Sequence, residues 1–596
     1  MFSLSFFLKN SWLGIAVLFI TACQPTAEKV IEKMDYAKIN PLVYKSLKKI
    51  PDSINVGIPF LKTYYSNNQQ PLFVTENDSA YTKIDTLIHY LSKSEEHGIA
   101  NSYLFADSLA YWKSQLLNSN SINYILTEKI ERHAALSYIK YCTGICYGFL
   151  NPKYFTNYHY TTASPDSNFM VQILKATVSC DSLATLITQI QPQSAEYKKL
   201  QNLRNVYMQY IDSIIQPIPL LDKDEIIKYG EHHRSIPLIK QRLSITQLLS
   251  ADSVPNYMFD KQLLHAINKF QKDNDFLSEK SIDNLTINAL NRPFSYYINL
   301  IDCNLERLRW QPTALANQTK YIRVNVASKT LKAIRNDSVI LDMNICVGRP
   351  PKHLTPFLES KIYEGILNPK WRVPNSIIIK EFAPIMIKGD TGYLKRNRLR
   401  IFYKGREIPH DSVKWEKLAE KYQPYSIEQD SGALNSLGRI KFSFPNTFDI
   451  YLHDTNYKSI FKKYKRDVSH GCVRVEKPIE LLLFCLPELK KPKPDDVKKQ
   501  NILCDKIRLN LDMKPKTKDG KKYLDELMKA NDSTDFRMRK VKIYPYVPIL
   551  IDYRTFDTDS KENIRFCEDI YGMDSLLYHS MHSMMGDSIL STVGTY

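Results

Sequence analysis

The segment Tyr451-Leu452-His453-Asp454-Thr455 is followed, sixteen residues after His453, by Ser469-His470-Gly471-Cys472-Val473-Arg474. A histidine and a cysteine this close in the chain are candidates for a nucleophile and its base. Gly471 directly precedes the cysteine and favours a tight turn, from which the sulfur can project while backbone N–H groups gather around an oxyanion. The segment therefore predicts a cysteine-centred catalytic site.

The chain upstream of this segment has the pattern of β-strands. From Tyr321 to Val326, apolar and polar side chains alternate, which is the period of a half-buried strand. Asn336-Asp337-Ser338 separates this strand from another, Val339 to Val347, as expected for a hairpin. The pattern predicts a β-rich catalytic domain that begins near Tyr321.

The histidine and cysteine motifs together resemble the active-site signature of the L,D-transpeptidases of bacterial peptidoglycan, the YkuD-type domain. That signature is a His, a spacer of about this length, Ser/Thr-His-Gly-Cys and a nearby Arg. The resemblance implies a mostly antiparallel β-sandwich over about 320–575. Further matches to the YcbB-like branch of this family are Val347–Pro350, Asn368–Pro374, Gly392–Leu394, Asn435–Phe442, Pro548–Thr555 and Glu568–Asp574.

Two stretches interrupt the expected catalytic domain. In the YcbB-like branch, the polar stretch between Trp371 and Arg439 resembles a lid over the donor groove, at about 375–438; a surface loop is the alternative. A lysine-rich insertion, at about 490–535, indicates a solvated excursion. Residues 576–596 are interpreted as a C-terminal tail.

The N-terminal part, 23–231, has a mainly helical pattern, as in the spacing of Tyr197, Leu200 and Leu203. Three scattered pieces resemble the scaffold region of the YcbB-like branch, and their order along the chain supports the match. They are Tyr64-Tyr65 with Pro71–Val74, His97–Ile99 with Tyr103, and Gly148–Pro152.

Three short helices are predicted between 232 and 292. Pro237 stands near the first turn of one, Phe259 to Phe270 marks one face of the second, and Leu285 to Leu290 forms the third. The helical pattern by itself indicates a small helical core. With Phe270-Gln271-Lys272 before a turn, the segment resembles a three-helix peptidoglycan-binding module, which either still binds glycan or persists as a spacer.

Residues 1–22 have the pattern of a signal peptide, with Lys9 as the sole charge before an apolar run too short for a comfortable membrane span. Ile20-Thr21-Ala22-Cys23 resembles a lipobox, in which Cys23 becomes the lipidated first residue. The alternatives are cleavage after Ala22 without lipidation, or an uncleaved anchor. We expect a lipid-anchored protein of the periplasm, and by enterobacterial analogy Gln24 favours the outer membrane over the inner.

Length, composition and net charge limit the kinds of binding partner that we expect. The 596 residues imply three or four domains, and the net charge of +18 suits nucleic acid, anionic lipid or an acidic polymer. Export makes nucleic acid improbable, so we expect peptidoglycan stem peptides and glycan as partners, with the membrane through a lipid anchor and other wall-synthesis enzymes. The alternative is that the positive charge only keeps the protein soluble. Apart from Cys23 and Cys472, the ten cysteines have irregular spacing, which indicates structural thiols.

The resemblance also implies a chemistry without metal or cofactor. Cys472 would attack the bond between the L-centre of diaminopimelate and D-Ala, and His453 would act as general base and acid. The backbone N–H groups of Gly471 and Cys472 would hold the oxyanion. A second diaminopimelate amine would resolve the thioester. Residues expected to line or support the substrate site are Tyr451, Ser469, His470, Arg474 and Trp371.

Other interpretations remain open at the level of sequence. His453, His470 and Cys472 could bind zinc, although no fourth ligand is evident. A papain-like protease would place its cysteine before its histidine, the reverse of this order. A non-catalytic wall-binding lipoprotein would be expected to have lost the cysteine or the histidine. A hydrolase, a carboxypeptidase or endopeptidase, would use the same thioester with water.

Overall fold

A computed structural model describes residues 34–586, apart from short gaps. Cys23 and the predicted signal peptide lie outside the described residues. The gaps are 53–54, 68–69, 76–80, 120, 212–215, 247, 251–255, 275, 277–279, 391, 419–424, 490–491, 530–537 and 560–562.

The catalytic region is built on one sheet, and eight of its strands form a closed ring. The ring order is β4-β5-β6-β7-β3-β2-β1-β8, and β8 pairs back with β4. Most neighbouring pairs are antiparallel; β6–β7 and β1–β8 are parallel. The strands are β1 (Lys320–Asn325), β2 (Thr330–Arg335), β3 (Ser338–Gly348), β4 (Phe357–Leu367), β5 (Ile440–Ser443), β6 (Leu452–His453), β7 (Val473–Val475) and β8 (Lys540–Asp552).

Burial confirms the predicted alternation at the start of this sheet. Ile322 and Val324 of β1 are fully buried in the core that the ring encloses. The hairpin differs from the prediction, because β2 lies between the two predicted strands. The turn joins β2 to β3, with positive φ values of 46° at Asn336 and 60° at Asp337, as a tight two-residue hairpin turn requires.

The stretch from Trp371 to Gln429 has a separate small core and a sheet of its own. Four short strands pair in the order 406–408, 399–403, 425–429 and 371–372. Helical segments Asn375–Ile377, Ile378–Phe382 and Ala383–Ile387 follow one another without a break, and Tyr393–Arg396 and Trp415–Leu418 add two short helices. The function of this subdomain as a lid remains a prediction.

The predicted helical character of the N-terminal part is confirmed. The helix Tyr124–Tyr147 is buried over most of its length and organises the others around it. A two-residue strand, Tyr158–His159, pairs in parallel with β4 and so attaches this region to the catalytic sheet. The longer helices are Ile39–Leu47, Ile58–Asn67, Thr82–Ser92, Ala106–Leu117, Tyr124–Tyr147, Ser167–Ser179, Leu183–Ile190 and Ala195–Met208.

Buried polar side chains hold the scattered scaffold pieces together. The carboxylate of Glu131, fully buried, accepts hydrogen bonds from Tyr65 Oη at 2.5 Å and from the backbone N–H groups of 72–74. A second buried carboxylate, Glu306, accepts from Leu150 N at 2.7 Å and forms an ion pair with Arg309 at 2.6 Å. In two of the three scaffold pieces, buried backbone N–H groups therefore donate to a carboxylate instead of to water.

Arg309 extends this hydrogen-bond network to the third scaffold piece, which contains His97. Its guanidinium donates to the carbonyl of His97 at 2.9 Å and to Tyr197 Oη at 2.8 Å. Arg309 lies at the end of the helix Phe294–Arg309, directly before the catalytic sheet. Fully buried charges thus join the N-terminal helices to the helix Phe294–Arg309, which leads into the catalytic domain.

Helices Ile236–Ile245, Lys261–Asp273 and Asn284–Leu290 share a small apolar core, as the helical pattern predicted. Gln271 is buried, and its amide donates to Ser281 O at 2.8 Å and Thr286 Oγ1 at 3.0 Å. This glutamine therefore connects the second helix to the third. The identity of the unit as a peptidoglycan-binding module remains a prediction.

Two predictions near the C-terminus need correction. The lysine-rich insertion is not a solvated excursion, because it forms helices Pro494–Asn510 and Lys518–Lys529, and Ile507 is fully buried in the catalytic core. The predicted tail begins inside the helix Met573–Gly586, which packs against Phe294–Arg309. Among the described helices, none has the length and apolar character needed to cross a bilayer.

Candidate active site

The register of three short strands brings the predicted catalytic residues to one face of the sheet. β6 lies between β5 and β7, and His453 pairs with Lys441 on one side and Arg474 on the other. Directly paired residues share a face, and so do residues two apart on one strand. Tyr451 and Cys472 therefore lie on the same face as His453, with Cys472 as its diagonal neighbour.

These side chains line a cleft of about 1120 Å³ between the sheet and the 371–429 subdomain. The cleft brings together most of the site residues predicted from sequence. From the catalytic sheet and its loops they are Tyr451, His453, Ser469, His470, Cys472 and Arg474, and from the subdomain Trp371. Gly471 lies in the same loop, and Cys23 is outside the described residues.

The thiol of Cys472 stands at the end of the loop before β7. Gly471 has φ +111°, a conformation that an L side chain rarely adopts. The Cys472 Sγ–H donates to the backbone carbonyl of Asp449 at 3.7 Å, and Asp449 itself has a left-handed φ of 55°. Burial raises the pKa of the Cys472 thiol, while hydrogen bonds from Tyr451 and the charges of Lys441 and Arg474 oppose that rise.

The imidazole of His453 is buried and held in one tautomer. Its Nδ1 lies 2.5 Å from the carbonyl oxygen of Asp454, which can only accept, so Nδ1 carries the proton and Nε2 keeps a free lone pair. Burial and the neighbouring Arg474 lower the pKa of His453 to about 3, with a smaller contribution from Lys441. The ring is therefore neutral at physiological pH and can accept a proton.

Both pKa shifts act against charge separation in the resting site. A raised thiol pKa and a lowered imidazole pKa favour the neutral pair over a thiolate–imidazolium ion pair. Proton transfer from Cys472 to His453 is therefore expected to accompany attack on a carbonyl rather than to precede it.

Ser469 shapes the nucleophile loop from within. Its hydroxyl donates to the carbonyl of Cys472 at 2.6 Å and accepts from the N–H of Gly471 at 3.2 Å. The expectation that the Gly471 N–H forms the oxyanion hole does not fit this geometry, because that group is already bonded to Ser469. In the described part of the chain nothing accepts from the Cys472 N–H, which makes it the better donor.

A support for this loop was not foreseen from the sequence. The hydroxyl of Thr355, which is fully buried, donates to the carbonyl of Gly471 at 2.8 Å and accepts from Gly348 N at 2.9 Å. Tyr571 Oη accepts from Thr355 N at 3.1 Å and donates to the carbonyl of Gly348 at 2.7 Å. The sequence held two signals of this network, Gly348 and Tyr571, which both lie in stretches that resemble the YcbB-like branch.

Tyr451 and Trp371 connect the nucleophile to the 371–429 subdomain. The Tyr451 side chain lies in the cleft between Cys472 and Trp371. Trp371 is half-buried and packs edge-on against Phe382 at 6.5 Å between ring centroids. It therefore lies at the boundary between the small core and the cleft.

His470 and Arg474 occupy opposite sides of the nucleophile loop. His470 Nε2 contacts the carboxylate of Glu381, in the helical segment Ile378–Phe382. Its ring packs on that of His353 with centroids 4.7 Å apart. Arg474 lies beside His453, and its Nε is buried with no hydrogen-bond partner in the described residues. The loop therefore touches the subdomain through His470 and offers an unpaired donor through Arg474.

Comparisons with known proteins agree with this site. Residues 319–494 match the family profile described as the L,D-transpeptidase catalytic domain, YkuD, and residues 60–203 match that of a scaffold domain. A Haemophilus influenzae protein named provisionally as an L,D-transpeptidase is 31% identical over 230 residues, 38% of this chain and 45% of that protein. The chain thus spans less than half the length of this relative.

Two solved structures are also similar. A crystal structure of the L,D-transpeptidase from Xylanimonas cellulosilytica is 12% identical, and the match covers 43% of this chain and 88% of that one, with a TM-score of 0.13. The Ldtfm–avibactam carbamoyl enzyme is 10% identical, with 49% and 95% covered and a TM-score of 0.17.

Proposed function

We propose that this chain, which contains a YkuD-type L,D-transpeptidase catalytic domain, cross-links peptidoglycan stems through a cysteine thioester. The observation that carries the proposal is the arrangement of Cys472 and a neutral, tautomer-fixed His453 on one face of one cleft. A thiol beside an imidazole with a free Nε2 is equipped for acyl transfer. No step requires a metal or cofactor.

In acylation, the thiol proton passes from Cys472 to His453 Nε2 in the same step as the nucleophilic attack. The sulfur attacks the carbonyl carbon between diaminopimelate and D-Ala, and the oxyanion is held by the N–H of Cys472. The bond to the D-Ala nitrogen then breaks, and His453 returns its proton to the departing amine. One well-placed oxyanion donor contributes about 3–4 kcal/mol to the stabilisation of the transition state.

Deacylation repeats the sequence with an amine. His453 removes a proton from the side-chain amine of a second diaminopimelate, the nitrogen attacks the thioester, and the sulfur leaves and regains a proton. The result is a cross-link between two third-position residues. Water in place of the amine gives a shortened, uncross-linked stem.

The test uses disaccharide tetrapeptides as donor and acceptor, with products identified by mass spectrometry for the wild type, Cys472→Ala and His453→Gln. We expect dimers that have lost one D-Ala in the wild type and neither product in Cys472→Ala. His453→Gln should retain folding but lose about 10²–10⁴-fold in rate. Tripeptide monomers without dimers would assign a hydrolase instead. Undiminished wild-type activity in Cys472→Ala would refute the nucleophile.

The proposal extends to location and partners. The lipobox-like Ile20–Cys23 and the net charge of +18 support a lipid-anchored protein in the periplasm that meets the carboxylate-rich wall, with the outer membrane favoured. Mass spectrometry of the mature N-terminus tests the lipid on Cys23, and Cys23→Ala should release the protein from the membrane fraction.

A further inference from the structure

Lys441 stands next to the catalytic imidazole and has no role in the steps above. It is the register partner of His453 on β5 and lines the cleft. Its ammonium lies 3.9 Å from the centroid of the Tyr451 ring. Because Tyr451 lines the cleft beside Cys472, this positive charge lies close to the reacting atoms.

The Lys441 ammonium has no protein counter-ion among the described residues. The charges of two carboxylates, Glu364 and Asp449, favour the protonated form of Lys441, but neither carboxylate forms an ion pair with it. Glu364 instead pairs with Lys540 at 3.3 Å. A partly buried ammonium without a counter-ion gains from an anionic group that enters the cleft.

The proposed donor brings such a group to this place. The carboxylate of the departing D-Ala is separated from the attacked carbonyl carbon by one nitrogen and one Cα, and so lies no more than about 4 Å from it. When Cys472 attacks, this carboxylate must therefore lie within a side chain's reach of the thiol.

We propose that Lys441 binds the C-terminal carboxylate of the donor stem and thereby selects stems in which D-Ala is the last residue. This inference rests on the proposed function. A stem with a further residue presents a neutral amide carbonyl at the same position, which leaves the ammonium without its counter-ion. Lys441 is thus a specificity residue for the length of the stem.

The experiment compares kcat/KM for two donors, a tetrapeptide stem with a free terminal carboxylate and the same stem with a terminal carboxamide. In the wild type we expect the carboxylate donor to be favoured about 10- to 100-fold, the range for a hydrogen bond to a charged group. In Lys441→Met the preference, taken as the ratio of kcat/KM for the two donors, should fall to within about 3-fold; the ratio cancels any effect of the lost charge on the Cys472 thiol, which acts on both donors alike. Lys441→Arg should keep a preference of more than about 5-fold.

Lys370→Met is the matched control, because Lys370 also lines the cleft but is paired with Asp430 at 3.7 Å. It should keep the wild-type preference. An unchanged preference in Lys441→Met, an equal loss in both variants, or loss of turnover on both donors in Lys441→Met would each overturn the assignment. If the wild type turned over neither donor, the proposed function itself would fail, whatever the variants showed.

Discussion

The protonation state of the Cys472 thiol limits the rate of the proposed reaction. Its pKa is raised by burial, so the reactive thiolate is lost as pH falls through that raised value. His453, with a pKa of about 3, stays neutral across the range in which enzymes are assayed. Reactivity should therefore depend on pH through the thiol.

We predict that alkylation of Cys472 by iodoacetamide, followed by peptide mass spectrometry from pH 5 to pH 11, has a midpoint above the ordinary cysteine value of about 8.5. No inflection should appear near the ordinary histidine value of about 6.5. The unfolded protein, in which burial is removed, serves as control and should show the ordinary midpoint. A midpoint below about 7 in the native protein would show a preformed ion pair and contradict the neutral resting state.

Ser469 provides a second prediction at the scale of one residue. Ser469→Ala leaves the Gly471 N–H and the Cys472 carbonyl without their partners, so the turn that aims the thiol and the oxyanion donor should loosen. We expect kcat to fall about 10- to 100-fold with KM within about 3-fold, because the loss is felt mainly in the transition state. Steady-state kinetics on tetrapeptide donors measure this, and a change confined to KM would instead make Ser469 a substrate contact.

The residues of the site were more predictable than their hydrogen bonds. The sequence motif identified the cysteine and histidine, and the structure brings them to one cleft, although their catalytic roles remain predictions. The spacing of Ser469 and Gly471 could not reveal that the serine hydroxyl occupies the Gly471 N–H. Thr355 could not be found either, because its role depends on a loop brought near by tertiary folding.

At the scale of elements, the 371–429 subdomain touches the nucleophile loop at one charged contact. Glu381 meets His470 Nε2, while the His470 ring packs against His353. The three consecutive helical segments that carry Glu381 begin soon after Trp371, which lines the cleft together with Tyr451. If the subdomain acts as a lid, this contact favours its closed position.

We predict that Glu381→Gln increases amide hydrogen exchange in 375–387 by about 3- to 10-fold, because a neutral amide bonds histidine more weakly than a carboxylate does. Water should then reach the thioester more often, so the ratio of tripeptide to cross-linked dimer should rise. Glu407→Gln, a substitution in the same subdomain on a residue paired with Arg400, is the control. Equal exchange in Glu381→Gln and the wild type would show that the contact does not restrain the subdomain.

Elements with a strong local pattern were predicted correctly, whereas a misassigned turn and a high density of charge led to wrong predictions elsewhere. The alternation in β1 was confirmed, whereas β2 was missed because the turn signal at Asn336 and Asp337 was assigned to the wrong pair of strands. In the lysine-rich stretch, charge density indicated solvent exposure. Ile507, in the helix Pro494–Asn510 of this stretch, is nevertheless buried and packs against the catalytic core.

For the whole molecule, the buried pair of Glu306 and Arg309 connects the helical N-terminal part to the helix Phe294–Arg309, which leads into the catalytic domain. Both side chains are fully buried, and removal of one partner leaves an uncompensated charge in the interior. Such a loss typically costs about 3–5 kcal/mol. The matches at 60–203 and 319–494 lie on either side of this pair.

We predict that Arg309→Met lowers the midpoint of thermal unfolding and makes the chain between the two matched regions sensitive to limited proteolysis. Arg396→Met, which removes an exposed pair with Asp390, should change neither noticeably, because exposed ion pairs contribute little. Equal melting curves for the two variants would show that the buried pair does not couple the domains.

Recognition of the family was confirmed for the catalytic domain and the scaffold region. The physical reason for the scattered scaffold motifs could not be derived from sequence. Tyr65, His97 and Leu150 are far apart in the chain, and only the buried charges of Glu131, Glu306 and Arg309 explain why these segments belong together.

The closed ring also bears on how the polypeptide matures. β8 must find β4 and β1, both far back in the chain, and such long-range pairing is slow because loop-closure entropy is lost before contacts are gained. Until β8 docks, two strand edges stay open to intermolecular association. A newly made chain would thus pass through an aggregation-prone interval before its catalytic cleft is complete, and for that interval it would depend on chaperones.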